Sequence, residues 1–95
     1  MPSGFEWDPQ KRESNLEKHG VDFLRAVRIF EGFVHQSQDT RKEYGEVRMN
    51  AIGQVDDLTL AVVYRVREEA IRISSARRAN RDEEADYRAL RSEKT

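Results

Sequence analysis

Apolar positions change their spacing several times along the chain, and each spacing predicts a different element. Phe5-Glu6-Trp7 alternates as in a short strand. Asp8-Pro9 follows as a helix start, with the aspartate as N-cap and the proline at the first helical position. This helix is expected to run to about Lys18-His19 and to end at Gly20, because glycine readily takes the left-handed C-cap conformation. This part of the chain therefore predicts a strand and then a short helix.

The next segment has helical spacing. Phe23, Val27 and Phe30 fall on one face of a helix, so a second amphipathic helix fits better than a strand. Asp22 is its expected N-cap, because its carboxylate can accept from the first free backbone N–H groups. Gly32 is its expected end.

Alternating spacing dominates the second half of the chain. A brief strand is predicted at 33–35, and the polar residues 36–43 predict a loop. Strands are then predicted from Glu46 to near Gly53, at 58–66 and at 70–75, with turns between them. Short connections between consecutive strands indicate an antiparallel meander. Alternation places one set of side chains in the core (Val47, Met49, Ile71 and Ile73) and a polar set on the opposite face (Arg48, Asn50, Arg72 and Ser74).

A last helix is predicted from the capping-box pattern Asn80-x-x-Glu83, with Tyr87 on its apolar side. The predicted order is β-α-α-β-β-β-β-α. We expect a small α+β domain spanning residues 1–95, in which a twisted antiparallel sheet packs two N-terminal helices and one C-terminal helix on one face. A chain of 95 residues closes only one modest core.

Composition narrows the function classes. The chain has no cysteine, which excludes a disulfide framework, and two histidines without paired-ligand spacing, so we expect no structural metal site and no cofactor. Without an apolar run long enough to span a membrane or a basic leader, we expect a cytoplasmic protein. No nucleophile elbow, Walker loop or dinucleotide fingerprint is present.

Charge is distributed unevenly. The net charge is −1, but residues 1–60 carry 8 Lys/Arg against 11 Asp/Glu, whereas residues 61–95 carry 9 against 7. Arginine suits forked contacts with phosphate, although a run of charge can also be no more than a solvated face. Six arginines cluster within 65–81, namely Arg65, Arg67, Arg72, Arg77, Arg78 and Arg81.

These residues allow one kind of chemistry without a protein nucleophile. RNA cleavage by its own 2′-OH needs a base, a cation for the phosphorane and an acid for the leaving oxygen. Each candidate has a structural alternative. Lys18 and His19 could simply be cations at a helix C-terminus, Glu46 a cross-strand partner of an arginine, and Tyr87 a residue that packs a helix on the sheet.

Several motifs, in order, resemble the BrnT family of toxins. Lys18-His19-Gly20-Val21, at its distance from the aromatic-Asp-Pro start, is the first specific piece, and Ile73-Ser74-Ser75-Ala76-Arg77 is the second. The chain departs from the family pattern in two places, with Glu31-Gly32 where Asp-Pro is usual and Ser74 where a second isoleucine is usual. The resemblance covers nearly the whole chain and also includes Lys11, Asn15, Phe23, Tyr44-Gly45-Glu46-Val47-Arg48, Ile52-Gly53, Arg67, Glu83 and Tyr87.

The resemblance implies a RelE-like fold and a metal-independent endoribonuclease whose RNA cleavage halts translation. It also implies a BrnA-type antitoxin partner, in a hetero-oligomer such as a 2:2 complex, with DNA contacted only through the antitoxin and no membrane association. As implied catalytic residues we take Lys18, His19, Glu46, Arg67 and Arg77, and as implied substrate-binding residues Arg48, Arg72 and Tyr87.

The implied roles leave alternatives open. Glu46 or His19 would be the general base, Arg67 and Arg77 would hold the scissile phosphate, and Lys18 or His19 would serve the leaving group. Among these side chains, histidine needs the smallest pKa change to act as an acid or base near neutral pH, because its reference pKa is about 6.5. A different class of function fits the same residues: a non-catalytic binding module, or an inactive toxin, whose arginine face docks an acidic protein partner.

Overall fold

The structure is a computed structural model that describes residues 4–43 and 46–94. Its elements follow the predicted order. They are β1 (Gly4–Glu6), α1 (Pro9–His19), α2 (Phe23–Ala26), a 3-10 helix (Val27–Glu31), β2 (Val34–Glu43), β3 (Glu46–Val55), β4 (Leu58–Arg67), β5 (Ala70–Arg78) and α3 (Arg81–Lys94).

The strands form one sheet in the order β1-β5-β4-β3-β2. The predicted meander is confirmed, because β2, β3, β4 and β5 pair antiparallel with their neighbours in sequence. The prediction of an entirely antiparallel sheet is wrong for β1, which pairs parallel to β5. β1 enters the sheet beside the last strand of the chain, so no hairpin turn fixes its direction.

The predicted loop at 36–43 is wrong, because these residues belong to β2. The strand pairs with β3 from Val34 opposite Gly53 to Asp39 opposite Arg48. It is an edge strand, and its side chains at 36–38 are exposed. An edge strand buries few side chains, so its sequence need not show apolar alternation.

The predicted helix ends are confirmed. The Asp8 carboxylate accepts from the N–H of Gln10 at 2.8 Å, and that of Asp22 accepts from the N–H of Leu24 at 3.1 Å. Gly20 closes α1 with φ of 71°. The predicted second helix is split, since α2 tightens into the 3-10 helix before Gly32.

The two faces of the sheet carry separate apolar clusters. The first face packs against the N-terminal helices and includes Met49, Ile71 and Ile73, as predicted. On the opposite face, Tyr87 of α3 packs with Ile52 and Ala61. The prediction that all helices lie on one face is therefore wrong, because α3 carries an apolar side chain of its own to the second face.

The N-terminal helices leave one end of the first face uncovered. Val47, predicted to be in the core, is 54% exposed, and Phe5 and Val66 are exposed as well. In the described ranges, no helix is long and apolar enough to cross a bilayer.

Candidate functional site

A β-bulge in β5 determines which face its arginines occupy. Along the β4–β5 ladder, Val63 pairs with Ser75 but the next residue, Tyr64, pairs with Ile73. Ser74 is therefore the extra residue of the bulge, opposite no residue of β4. Before the bulge, the odd-numbered side chains of β5 face the N-terminal helices. After the bulge, the even-numbered side chains face them.

The bulge brings Arg77 to the face that carries α3. Strict alternation from Ile71 and Ile73 would turn Arg77 toward the N-terminal helices. Instead Ala76 is fully buried in the cluster on that side, and Arg77 lies on the opposite face. A charged side chain is thereby kept out of the core and placed beside α3.

Arg77 lines a cleft of about 450 Å³ between α3 and the sheet, referred to below as the polar cleft. Arg48 of β3 and His35 of β2 line the same cleft. The cleft therefore combines two guanidinium groups, which can bind phosphate, with an imidazole, which can transfer a proton. Its other polar side chains are Ser37, Asn50, Glu83 and Asp86.

Arg77 forms a bidentate ion pair with Glu83 of α3. Its Nη1 donates to Oε1 of Glu83 at 2.8 Å, and its Nη2 donates to Oε2 at 2.9 Å. Nη1 also donates to the carbonyl oxygen of Arg78 at 3.2 Å. The hydrogen bonds from Arg77 lower the pKa of the Glu83 carboxyl, and the carboxylate raises the pKa of Arg77.

Three arginines form a row across the face that carries α3. Arg48 pairs with Arg65, and Arg65 pairs with Arg72, on adjacent strands. The row meets a carboxylate at its β1 end, where Arg72 Nη1 lies 3.1 Å from Oε2 of Glu6. Directly opposed like charges destabilise a sheet. The row therefore indicates a surface that binds an anionic ligand rather than one that stabilises the fold.

Lys18 and His19 lie in a different place. Both are exposed in the last turn of α1 and line a smaller cleft of about 200 Å³ with Ser74 and Ser75. Ser74, the departure from the family pattern, thus faces Lys18 and His19 rather than lining the polar cleft. The structure does not bring these two side chains together with Arg48 and Arg77.

Arg67 and Arg77 stand at opposite ends of the β4–β5 hairpin. Arg67 pairs with Ala70 next to the turn, whereas Arg77 pairs with Ala61. Ala70 and Arg77 are seven residue steps apart, which corresponds to about 23 Å at roughly 3.3 Å per residue. The two side chains therefore cannot hold the same phosphate. This differs from the shared role that the family resemblance implied for them. Glu46 begins β3, and its side chain lies outside the described part of the chain.

Tyr87 has the packing role that was the alternative for it. Its side chain is 3% exposed, and its hydroxyl donates to the carbonyl oxygen of Phe33 at 2.9 Å. The ring also contacts that of Phe33, with centroids 5.6 Å apart. Tyr87 thereby fixes α3 on the sheet, where it packs with Ile52 and Ala61, two residues that line the polar cleft.

The family follows from comparison with known proteins. A family model described as the ribonuclease toxin BrnT of type II toxin–antitoxin systems matches residues 7–83. The chain belongs to this family. The crystal structure of the Brucella abortus ribonuclease toxin BrnT matches with a TM-score of 0.60 and 30% identity, over 82% of this chain and 97% of that one. No curated protein matches the chain.

Membership confirms the predicted family, the α+β fold and the assignment as a ribonuclease toxin with an antitoxin partner. In the BrnT fold of this chain, the described residues contain no group of three His, Cys, Asp or Glu side chains that could hold a metal ion.

Among the residues of the polar cleft to which sequence reasoning assigned no site role are His35 and Glu83. His35 belongs to no motif. The residues after it were interpreted as a loop, so its side chain could not be assigned to a face of the sheet. Glu83 was recognised only as a helix cap. The signal for His35 was its alternation with Val34, which packs against the core on the other face.

Proposed function

We propose that this BrnT-family toxin binds and cleaves RNA in the polar cleft. The observation that carries the proposal is the bulge at Ser74, which turns Arg77 onto the face of Arg48. Two guanidinium groups that line a single cleft can both contact the scissile phosphate of an RNA strand.

In the proposed reaction the 2′-OH of the substrate attacks the adjacent phosphorus and the 5′-oxygen leaves. Arg77 and Arg48 stabilise the negative charge on the phosphorane oxygens. His35 takes the proton of the 2′-OH as it attacks and gives a proton to the 5′-oxygen as it leaves, and proton transfer is the role that the family resemblance implied for His19. Lys18 and His19 then bind the RNA strand outside the cleft, and Arg65 and Arg72 extend the positive surface along the sheet.

We further propose that the antitoxin is of the BrnA type and that it covers the polar cleft with an acidic segment, in a hetero-oligomer such as a 2:2 complex. An acidic segment competes with RNA for the same guanidinium groups. The complex is proposed to act in the cytoplasm, and only the antitoxin contacts DNA.

The test compares RNA cleavage by the purified wild-type chain with cleavage by Arg77→Ala, Arg48→Ala and Arg67→Ala. We expect Arg77→Ala and Arg48→Ala to lose about 10²–10³ in rate, as when one donor to a developing oxyanion is removed. Arg67→Ala removes the same charge from the same sheet but outside the cleft, so its loss is expected to be below about tenfold.

Equal activity of all four proteins would place the reaction outside the polar cleft. If the folded wild-type chain binds its antitoxin but leaves RNA intact, the non-catalytic binding module is the correct function.

A further inference from the structure

We propose that Glu83 is a positioning residue, which holds the guanidinium of Arg77 so that its remaining donors face an RNA phosphate. This inference rests on the proposed function of the polar cleft. It concerns a carboxylate in a cleft that binds an anion, where a negative charge would otherwise weaken binding. Through its ion pair with Arg77, the carboxylate of Glu83 positions a group that binds the anion.

The donors of Arg77 divide into two groups. The contacts to Glu83 and to the carbonyl oxygen of Arg78 use both hydrogens of Nη1 and one hydrogen of Nη2. The Nε hydrogen and the second Nη2 hydrogen remain, and no acceptor among the described residues takes them. These two N–H groups are parallel and form a complete fork, which matches two oxygens of one phosphate.

The carboxylate of Glu83 is itself fixed by the first turn of α3. Its Oε1 accepts from the backbone N–H of Asn80 at 2.9 Å, and its own N–H donates to Oδ1 of Asn80 at 2.8 Å. This reciprocal pair is a capping box. Because the backbone N–H of Asn80 holds the carboxylate and the carboxylate holds two guanidinium nitrogens, the free fork of Arg77 keeps one direction.

Loss of Glu83 has two opposing consequences. Arg77 becomes free to rotate, so its fork no longer meets the phosphorane at the right angle, and a small misplacement of a catalytic group is costly. The cleft also loses a negative charge, which favours RNA in the ground state. We therefore expect a lower kcat together with a lower KM, whereas partial unfolding lowers the apparent kcat and leaves KM unchanged.

The test uses Glu83→Gln, with Asn80→Ala as the matched control. Glutamine still serves in a capping box, but its amide has no second acceptor for Nη2 and no charge. Asn80→Ala weakens the same helix start and leaves the pair of Arg77 with Glu83 intact. We expect Glu83→Gln to lower kcat by about tenfold or more, within the range known for misplaced groups. Asn80→Ala is expected to retain the wild-type kcat at a temperature where all variants are folded.

A double-variant cycle separates the two proposals. If Glu83 acts through Arg77, Glu83→Gln causes no further loss in an Arg77→Ala background. If Arg77→Ala is fully active, the polar cleft is not the site and both proposals fail. If Arg77→Ala is impaired but Glu83→Gln is fully active, or Asn80→Ala is equally impaired, only the positioning role is wrong. A raised rate of RNA cleavage by Glu83→Gln would show that the carboxylate competes with RNA. That result would also overturn the positioning role of Glu83.

Discussion

Asn15 of α1 bonds both backbone groups of Ala76 in β5. Its Nδ2 donates to the carbonyl oxygen of Ala76 at 2.7 Å, and its Oδ1 accepts from the N–H of the same residue at 3.1 Å. Nδ2 also donates to the carbonyl oxygen of Val21 at 2.9 Å. In the described sheet, β1 pairs with β5 only as far as Arg72. Asn15 thus occupies the position of a strand neighbour where the strand has ended.

Asn15→Ala is expected to lower the free energy of unfolding by about 3 kcal/mol or more, because three buried backbone groups lose their partner and each unsatisfied group costs about 1–3 kcal/mol. Asn15 is only 6% exposed, so water replaces these bonds poorly. Urea denaturation measures the change. Ser14→Ala, an exposed change on the same helix, should stay within about 0.5 kcal/mol of the wild type. A similar small effect of Asn15→Ala would show that the three bonds contribute nothing.

Gly53 in β3 is expected to tolerate no side chain. A Cβ built there lies 2.6 Å from Cβ of Ile29 and 3.0 Å from Cγ1 of Val34. The Cβ of Ile29 cannot rotate away, so the 3-10 helix itself would have to move. Gly53→Ala should therefore cost about 1–3 kcal/mol, as overpacking of a core does.

The matched control for that substitution is Gly32→Ala, because a Cβ there meets nothing within 4 Å. Truncating Ile29 to alanine leaves its Cβ in place and should not rescue Gly53→Ala. Rescue by that truncation would show that the steric conflict is with the outer part of the isoleucine side chain. Thermal denaturation of the wild type, Gly32→Ala, Gly53→Ala, Ile29→Ala and the Ile29→Ala/Gly53→Ala double variant gives the comparison.

The features that could be predicted from sequence are those determined within a few residues. Asp8, Gly20 and Asp22 mark helix ends because each acts on groups of its own turn. The same holds for the reciprocal bonds of Asn80 and Glu83. The order of the elements follows from such signals together with apolar spacing.

The features that could not be predicted depend on distant partners. The direction of β1 is determined by β5, and the polar β2 is a strand only because β3 supplies its hydrogen bonds. The bulge at Ser74 is set by the pairing of β4 with β5. The family resemblance pointed to Arg48 and Arg77 individually, but their position in one cleft depends on that bulge.

Acid should weaken the contact of Glu83 with Arg77. The pKa of Glu83 is lowered from 4.5 by its hydrogen bonds to Arg77. A lowered carboxyl pKa stabilises the fold above the ordinary value, and this contribution is lost as the pH falls through the folded-state pKa. Wild type should therefore exceed Glu83→Gln in stability at pH 7, by on the order of 1 kcal/mol or less for a partly exposed pair.

The difference between those two proteins should close as the pH falls from about 7 through the folded-state pKa of Glu83. Urea midpoints at a series of pH values measure it. A constant difference across the series would mean that glutamine perturbs packing rather than removing a titrating ion pair.

The two histidines distinguish the polar cleft from the cleft beside α1. His35 lies with Arg48 and Arg77, whereas His19 lies with Lys18. If proton transfer occurs in the polar cleft, His35→Gln should slow RNA cleavage by about 10²-fold or more, the usual contribution of a general acid or base. His19→Gln, a matched change at an exposed position, should slow it by less than about tenfold, since it can affect only binding of the strand.

Single-turnover cleavage at saturating protein isolates the chemical step from binding. Added imidazole gives a second measurement, because it can occupy the space left in His35→Ala and restore part of the rate if that side chain transfers a proton. Loss of activity in His19→Gln with full activity in His35→Gln would instead assign proton transfer to the end of α1. In that case Lys18 and His19 would be catalytic, as the family resemblance implied, and RNA would have to cross β5 to meet both Arg77 and His19.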